Sequence, residues 1–258
     1  SDMTTLIVRN NPAQDAGHWY RRDGTPQYTV PAKDGSARPT TLRDARRMDL
    51  VPSVTTIMKI AAKPGLEAWK LDQMLLAALT LPRREGEGEK DFINRISADS
   101  RQTGKQAAER GTRVHESIER WYKGDTDVEH PAIAKAFQEE VVKHFGDIQD
   151  WQVEKSFTSP QGYGGKIDLY SKSGFVLDAK SKEFGPEDEV VGYDEHLMQL
   201  AAYRVGLGLP QARCANVFAS VTHPGLIKIV EWTEEELVKG WAMFRCLLEF
   251  WQTKNNHR

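Results

Sequence analysis

A predicted β-hairpin in the second half of the chain determines where three charged side chains lie. The runs GKIDLYS and FVLDAKS alternate between apolar and polar residues, as strands with two different faces do. The three residues that join them end in Gly174, and a three-residue hairpin loop favours glycine at its last, left-handed position. The register that this loop imposes predicts that Asp168 lies directly opposite Asp178.

The two opposed aspartates predict a bound metal ion. Their side chains would lie about 5 Å apart and repel each other, and the apolar neighbours Ile167 and Leu177 predict that the strands are buried. Burial of like charges is costly unless a cation lies between them. Lys180 follows Asp178 on the same face and neutralises the pair only in part, whereas Mg²⁺ or Mn²⁺ suits two carboxylates with open positions. A metal and a lysine that orients or activates water favour phosphodiester hydrolysis; an exposed, salt-bridged hairpin is the alternative.

Three further residues are candidates for the same site. His115 lies in the apolar stripe of an amphipathic helix that begins near residue 104, and we predict it to be a metal ligand; the alternative is a hydrogen-bonded core histidine. Glu119 lies one helical turn further on, and Glu154 lies in the strand-like run before the hairpin. These two glutamates are candidates for an additional acidic site, against the alternative that both are ordinary solvated side chains.

The order of predicted elements is that of an α/β protein with a mixed central sheet flanked by helices. Residues 3–50 are predicted as a β-rich extension with Asp-Gly turns at 23–24 and 34–35. Residues 51–103 are predicted as a helical insertion that roofs the cleft, and residues 104–258 as the core. Helix starts are predicted at Thr41, Ser53 and Pro131, and at the capping box of Thr233 and Glu236.

Composition limits the function only weakly. The net charge of −2 is unusual for a nucleic-acid binder, although a local basic groove would suffice. No apolar run approaches the ~20 residues of a membrane helix, and no targeting segment is seen, so we expect a cytoplasmic protein without a membrane partner. Cys214 and Cys246 predict two free thiols in a reducing compartment. The phosphate-binding loop of nucleotide hydrolases is absent, so no nucleotide cofactor is expected.

Four motifs in order resemble those of the PD-(D/E)XK (restriction-endonuclease-like) nuclease superfamily, in its RecB-like branch. These are GTRVH ending at His115, GGKID ending at Asp168, LDAKS with Asp178 and Lys180, and QLAAY. VPSVTTI, KPGLEAW, GYGGKID and the Trp-rich last helix are similar to the mitochondrial genome maintenance exonuclease group and its phage-type relatives. The resemblance covers roughly residues 50–252. The spacing between the aspartates is short for this branch, which implies a tight hairpin.

The resemblance implies roles for individual residues and a cofactor, Mg²⁺ or Mn²⁺. Asp168, Asp178 and Lys180 would be catalytic, and Gln199 and Tyr203 would border the DNA path. On spacing alone, Gln199 and Tyr203 would be an ordinary helix edge. The implied metal ligands are His115, Asp168, Asp178 and the Ala179 carbonyl.

The expected activity is that of a DNA exonuclease on single strands with a free end. The segment WYRRDGTPQY interleaves aromatic and arginine residues, as a surface that stacks bases would, although an ordinary solvated hairpin is equally compatible with it. A role in DNA repair or recombination, with a replication or recombination protein as partner, is expected from the resemblance alone. The same motifs are also compatible with a double-strand or structure-specific nuclease and with a non-catalytic DNA-binding module of the same fold.

Overall fold

A computed structural model describes residues 17–258, so the start of the predicted β-rich extension lies outside the described residues. The described part of the extension forms two small antiparallel sheets, in which β1 pairs with β4 and β2 with β3. Gly24 and Gly35 have φ of +90° and +84°, which confirms both Asp-Gly turns. Thr41 caps the first helix, as predicted. The elements are β1 (Trp19–Tyr20), β2 (Thr29–Pro31), β3 (Ala37–Pro39), α1 (Leu42–Met48) and β4 (Val51–Pro52).

Four helices follow before the central sheet. Ser53 caps the first of them, as predicted, because its hydroxyl accepts from the Thr56 backbone N–H. The predicted boundary between residues 103 and 104 falls inside one continuous helix of 34 residues, so it does not separate two elements. Gly104 does not end this helix; it lies beside the Trp69 ring. The helices are α2 (Val54–Met58), α3 (Pro64–Thr80), α4 (Glu89–Tyr122) and α5 (Pro131–Phe145).

The central sheet has five strands whose spatial order follows the chain. All neighbouring strands are antiparallel except β7 and β8, which are parallel and connected through a helix. This confirms the predicted α/β architecture with a mixed sheet. The elements are β5 (Gln152–Ser159), β6 (Tyr163–Ser171), β7 (Phe175–Lys182), α6 (Asp194–Gly206), β8 (Arg213–Ser220), β9 (Ile227–Trp232) and α7 (Glu234–Asn255).

Helices cover both faces of the sheet. On one face, α4 and α5 pack against the strands, with Phe137, Leu177 and Val217 in the core. On the other face, α2, α6 and α7 pack around residues such as Tyr163 and Phe244. The predicted hairpin, β6 and β7, therefore lies in the middle of the sheet and is covered on both sides, which explains why its charged residues are buried.

Helix α3 differs from the others because many of its apolar side chains are exposed. It lies along the N-terminal half of α4, and Leu71 and Leu79 remain 59% and 83% exposed. Among the described residues, no helix is both long enough and apolar enough to cross a membrane.

Candidate active site

The hairpin has the predicted register up to the two aspartates. Its loop ends in Gly174 with φ of +115°, and the last backbone pair of the ladder joins Leu169 and Leu177. Asp168 and Asp178 are the next residues on each strand, and there the ladder ends. Instead, the backbone N–H of Ala179 donates to Oδ2 of Asp168 at 2.9 Å. The carboxylates are therefore neighbours at a point where the two strands separate.

Asp178 and Lys180 form a buried ion pair. The Lys180 ammonium lies 2.9 Å from Oδ2 of Asp178, whose side chain is 8% exposed, and Asn216 donates to the same oxygen at 3.0 Å. Burial alone would raise the pKa of Asp178, but the charge and hydrogen bond of Lys180 hold it below its ordinary value. Burial likewise opposes the charge of Lys180, and Asp178 nevertheless keeps its pKa raised. Both groups are therefore charged at neutral pH.

Asp168 is in a less favourable environment for a charge. Burial, together with the negative charge of Asp178, raises the pKa of Asp168 to about 8. Nδ1 of His115 lies 3.9 Å from Oδ1 of Asp168. Burial lowers the pKa of His115, so its imidazole is neutral at pH 7, the form that binds metals. A cation between these groups would stabilise the Asp168 carboxylate.

Helix α4 brings two candidate ligands to the sheet. His115 and Glu119 are four residues apart and therefore lie on the same helical face. The buried Val114 and Ile118 orient this face towards the sheet. At Gly111 the helix comes so close to β7 that a Cβ atom would lie 2.9 Å from Oγ of Ser181. This close approach positions the two ligands beside the aspartates.

His115, Glu119 and Asp168 form a group that could hold a divalent cation. One ligand atom from each lies within 4.8 Å of the other two. An imidazole nitrogen with carboxylate oxygens suits Mn²⁺, and carboxylates with open positions for water also suit Mg²⁺. Asp178 is not a member of this group, and its Oδ2 contacts Lys180 and Asn216 instead. The tightest ligand set thus includes Glu119 in addition to the predicted His115 and Asp168.

Glu154 links the acidic group to two lysines. Burial, a hydrogen bond with Glu154 and the charge of Asp168 raise the pKa of Glu119 to about 8. Hydrogen bonds from Glu119, Lys123 and Lys166 lower the pKa of Glu154 to about 2. Its carboxylate lies 2.5 Å from the Lys123 ammonium and 3.3 Å from that of Lys166. The two glutamates therefore share one proton when no cation is bound.

The backbone of Glu154 is strained. Its φ of +53° lies in the left-handed region, although it belongs to strand β5. A non-glycine residue there costs roughly 1–2 kcal/mol, and such strain is concentrated at functional sites. The pairing of β5 with β6 is interrupted at Glu154, between the pairs of Val153 with Leu169 and Lys155 with Ile167. Strand β6 therefore has irregular pairing at Asp168 on both sides, with β5 at Glu154 and with β7 at Asp178.

These residues lie in a cleft of about 960 Å³. The sheet and α4 form its floor and one wall, and the N-terminal strands form the other wall. Of the segment 51–103, which we predicted to roof the cleft, only Ser53 and Thr55 border it, whereas α3 lies against α4. The residues that line the cleft include His18, Tyr20, Tyr28, Ser53, Thr55, Gly111, His115, Glu119, Arg120, Glu154, Lys166, Asp168, Lys180 and Tyr203.

Gln199 and Tyr203 lie beneath the site rather than along an exposed path. Both are buried, and the Gln199 amide donates to the Tyr203 hydroxyl at 2.9 Å. The Gln199 oxygen lies 3.5 Å from the Lys180 ammonium. Tyr203 packs so close to Gly165 that a Cβ atom there would lie 2.7 Å from its ring. Gln199 thus contacts the Lys180 ammonium from the buried side, and Tyr203 forms part of the cleft floor.

Sequence reasoning missed Asn216 and Lys166. Asn216 is fully buried opposite Asp178 in the parallel strand β8, and no local pattern indicates such a long-range pairing. Lys166 lies two positions before Asp168 in the same strand, and the period of two could have placed both on one face.

Comparisons with known proteins give little further information. No protein-family model and no curated protein matches the chain. The crystal structure of SSO0001 is 14% identical with a TM-score of 0.31, and the match covers 70% of this chain and 86% of that one. An alkaline exonuclease, LHK-Exo from Laribacter hongkongensis, is 13% identical with a TM-score of 0.28, over 73% and 97% of the two chains. Its complex with dAMP is 13% identical with a TM-score of 0.27, over 70% and 90%. Likeness this weak carries no argument about this chain.

Proposed function

We propose that the chain is a metal-dependent nuclease with a PD-(D/E)XK core, which hydrolyses DNA phosphodiester bonds. The observation that carries the proposal is the group of His115, Glu119 and Asp168 beside the buried ion pair of Asp178 and Lys180. A non-catalytic DNA-binding module would not need a buried lysine held by an aspartate next to three candidate metal ligands.

The residues present fit Mg²⁺ or Mn²⁺. His115, Glu119 and Asp168 would hold the ion, and the Ala179 carbonyl and the remaining oxygen of Asp178 are further ligands in the proposal. When bound, such an ion supplies positive charge to a phosphate oxygen and lowers the pKa of a bound water. Without a cation, the pKa of Asp168 and the pKa of Glu119 are both raised to about 8. A bound cation would favour the charged form of both carboxyls, which is the form that binds metal.

Lys180 orients rather than accepts a proton. Its pKa is raised, so the ammonium remains protonated and donates hydrogen bonds. Asp178 and Gln199 hold the ammonium from two sides, at 2.9 and 3.5 Å. These two contacts determine the direction of the third N–H of the ammonium. In the proposal this N–H donates to the attacking water or to the phosphate oxygen on which negative charge develops.

Single-stranded DNA with a free end is the substrate that we propose. The cleft volume of about 960 Å³ is near the upper limit of small-ligand sites, about 300–1,000 Å³, and in the proposal the cleft holds one strand. Lys166 also lines the cleft, with its ammonium 3.3 Å from the Glu154 carboxylate. Affinity should fall with salt, because phosphate contacts release counterions.

The open side of the cleft favours a second candidate, a nuclease that also cuts internal or duplex bonds. Helix α3 does not line the cleft, so a strand without ends could enter sideways. In this candidate the metal ligands and Lys180 have the same roles, and only the requirement for an end differs.

Cleavage of labelled linear and circular single strands and of blunt duplex, with Mg²⁺, Mn²⁺ or EDTA, tests both proposals. We expect cleavage of the linear strand with either metal and none with EDTA or in Asp178→Asn. Glu139→Gln, an exposed carboxylate outside the cleft, is the matched control and should retain activity. Equal cleavage of circular strands favours the second candidate. Full activity of Asp178→Asn, with an unchanged circular dichroism spectrum, would contradict the assignment of the site.

A further inference from the structure

The wall of the cleft opposite α4 presents a pair of stacked rings. The rings of His18 and Tyr28 are nearly parallel, with centroids 4.2 Å apart and an interplanar angle of 22°. Both residues line the cleft. His18 is exposed, whereas Tyr28 is partly buried behind it. One face of the His18 ring is therefore covered by Tyr28, and within residues 17–258 no other ring stacks on the exposed His18.

The stacked pair is held in place by the protein. The Tyr28 hydroxyl lies 2.9 Å from that of Tyr20, and the two rings meet edge to face. Tyr20 is 2% exposed and packs on the backbone of Gly164, where a Cβ atom would lie 2.8 Å from its ring. The backbone carbonyl of His18 accepts a hydrogen bond from the Ser53 N–H. A rigid platform of this kind loses little conformational freedom when a ligand stacks on it.

Positive charge lies beside the platform, but not on it. Burial, followed by the charges of Lys59 and Lys166, lowers the pKa of His18, so the ring is neutral at pH 7. Lys166 also lines the cleft and lies two residues before Asp168 in strand β6. A ligand on the platform would thus have a cation near it and the acidic group further along the same cleft.

Arg21 and Arg22, which lie between His18 and Tyr28 in the sequence, do not belong to the stacked platform. Arg21 donates to Gln27, and Arg22 donates to Asp49 and to the Arg258 carbonyl. Neither arginine lines the cleft. The aromatic residues therefore face the substrate path, while the arginines are engaged in contacts within the protein.

We infer that His18, stacked on Tyr28, is a subsite that binds one unpaired nucleobase of the strand whose backbone runs past Lys166 to the acidic group. This inference rests on the proposed function and specifies its substrate. Every nucleobase has a flat face, so such a platform binds bases with little sequence preference. Within a duplex both faces of an internal base are covered by its neighbours. The platform therefore selects an unpaired base rather than a particular sequence.

Binding of two single strands with the same backbone separates stacking from charge. The probes are a fluorescent thymidine 12-mer and a 12-mer of abasic sites, titrated with Asp178→Asn protein in Mg²⁺ so that neither is cleaved. We expect the thymidine strand to bind roughly ten-fold more tightly than the abasic one. His18→Ala should remove most of this preference, and His18→Phe, which keeps a flat ring, should retain it. His144→Ala, the same change at a histidine outside the cleft, is the matched control.

The outcomes distinguish this inference from the function on which it rests. Equal binding of the two strands by the parent, or an unchanged preference in His18→Ala, overturns the stacking subsite and leaves the nuclease proposal in place when wild-type protein cleaves the linear strand. No binding of either strand, together with no cleavage by wild-type protein in Mg²⁺ or Mn²⁺, overturns both. A preference that is lost in His18→Ala and kept in His18→Phe supports the subsite.

Discussion

Asn216 and Asp178 face each other in parallel strands, and the amide nitrogen of Asn216 lies 3.0 Å from Oδ2 of Asp178. The orientation of this amide is determined from its other side. The indole N–H of Trp232, which can only donate, lies 2.8 Å from the amide oxygen. The amide must therefore present its N–H to the aspartate, which leaves Oδ1 of Asp178 as its less engaged oxygen.

Asn216→Leu should weaken metal binding more than it changes the fold. The substitution keeps the approximate volume but removes the donor that orients Asp178. Loss of such a supporting contact typically costs about 10–100-fold in metal affinity or activity. The measurement is the Mn²⁺ concentration that gives half-maximal cleavage. Trp232→Phe, which removes the indole N–H together with part of the ring, should shift this midpoint in the same direction by less. A midpoint unchanged in Asn216→Leu would show that Asn216 only fills space.

Asp168→Asn should stabilise the metal-free protein at alkaline pH. The pKa of Asp168 is about 8 in the folded protein and 3.8 without its environment, so the folded state binds a proton that the unfolded state releases. The contribution of the protonated Asp168 to the free energy of unfolding is fully present below pH 4 and is lost as the pH rises towards 8. At pH 8 we expect the variant to gain about 1 kcal/mol or more, roughly 2–4 °C in Tm.

Thermal unfolding in EDTA between pH 5 and pH 8.5 measures this effect. The difference between Asp168→Asn and the parent should grow with pH. Asp178→Asn is the matched comparison and should be less stable than the parent at pH 7, because its pKa is lowered and its charge is paired with Lys180. Equal pH profiles for Asp168→Asn and the parent would refute the raised pKa of Asp168.

His115→Ala should lower metal affinity about 10–100-fold while the protein remains folded. The imidazole is one of three ligands, so activity should recover in part at high Mn²⁺ through Glu119 and Asp168. The measurement is the metal dependence of cleavage, with the free energy of unfolding in EDTA as the control. If the metal titration is unchanged and stability falls instead, His115 is a core histidine.

Gly165→Ala should destabilise the protein by about 1–3 kcal/mol and reduce cleavage. A Cβ atom at this position would lie 2.7 Å from the Tyr203 ring and 3.0 Å from that of Phe157. Displacement of Tyr203 would also disturb Gln199 and, through it, Lys180. Gly65→Ala is the control, because nothing lies within 4 Å of the added atom. Denaturant unfolding of both variants measures the effect, and a neutral Gly165→Ala would mean that β6 shifts without cost.

Local patterns predicted much of the fold, because the interactions that they encode are local. Gly174 determines its hairpin loop, and Ser53 and Thr233 bond to backbone groups three residues away. The hairpin pattern predicted that Asp168 and Asp178 are adjacent, but it gave no reason for their pKa values to differ. Their opposite pKa shifts depend on Lys180, Asn216 and burial, which the folded sheet determines.

Long-range packing accounts for what the sequence did not indicate. Asn216 reaches Asp178 only because β8 is parallel to β7 and adjacent to it. Helix α4 continues through the predicted boundary at residue 103, and Gly104, a poor helix former, lies within it beside Trp69 of α3. The strained backbone of Glu154 has no sequence signature, since glutamate rarely adopts positive φ.

Helix α4 also limits how the ligand group can change shape. With 34 residues and no proline it is a rod of about 50 Å, and it carries both His115 and Glu119. The helix itself sets the separation of these two ligands, whereas their distance from Asp168 depends on how the rod rests on the sheet. Sliding or tilting the rod therefore moves both ligands together, towards or away from the aspartate. The fit of an ion between the helix and Asp168 thus depends on how α4 packs on the sheet, and α3, which packs against α4, contributes to that packing.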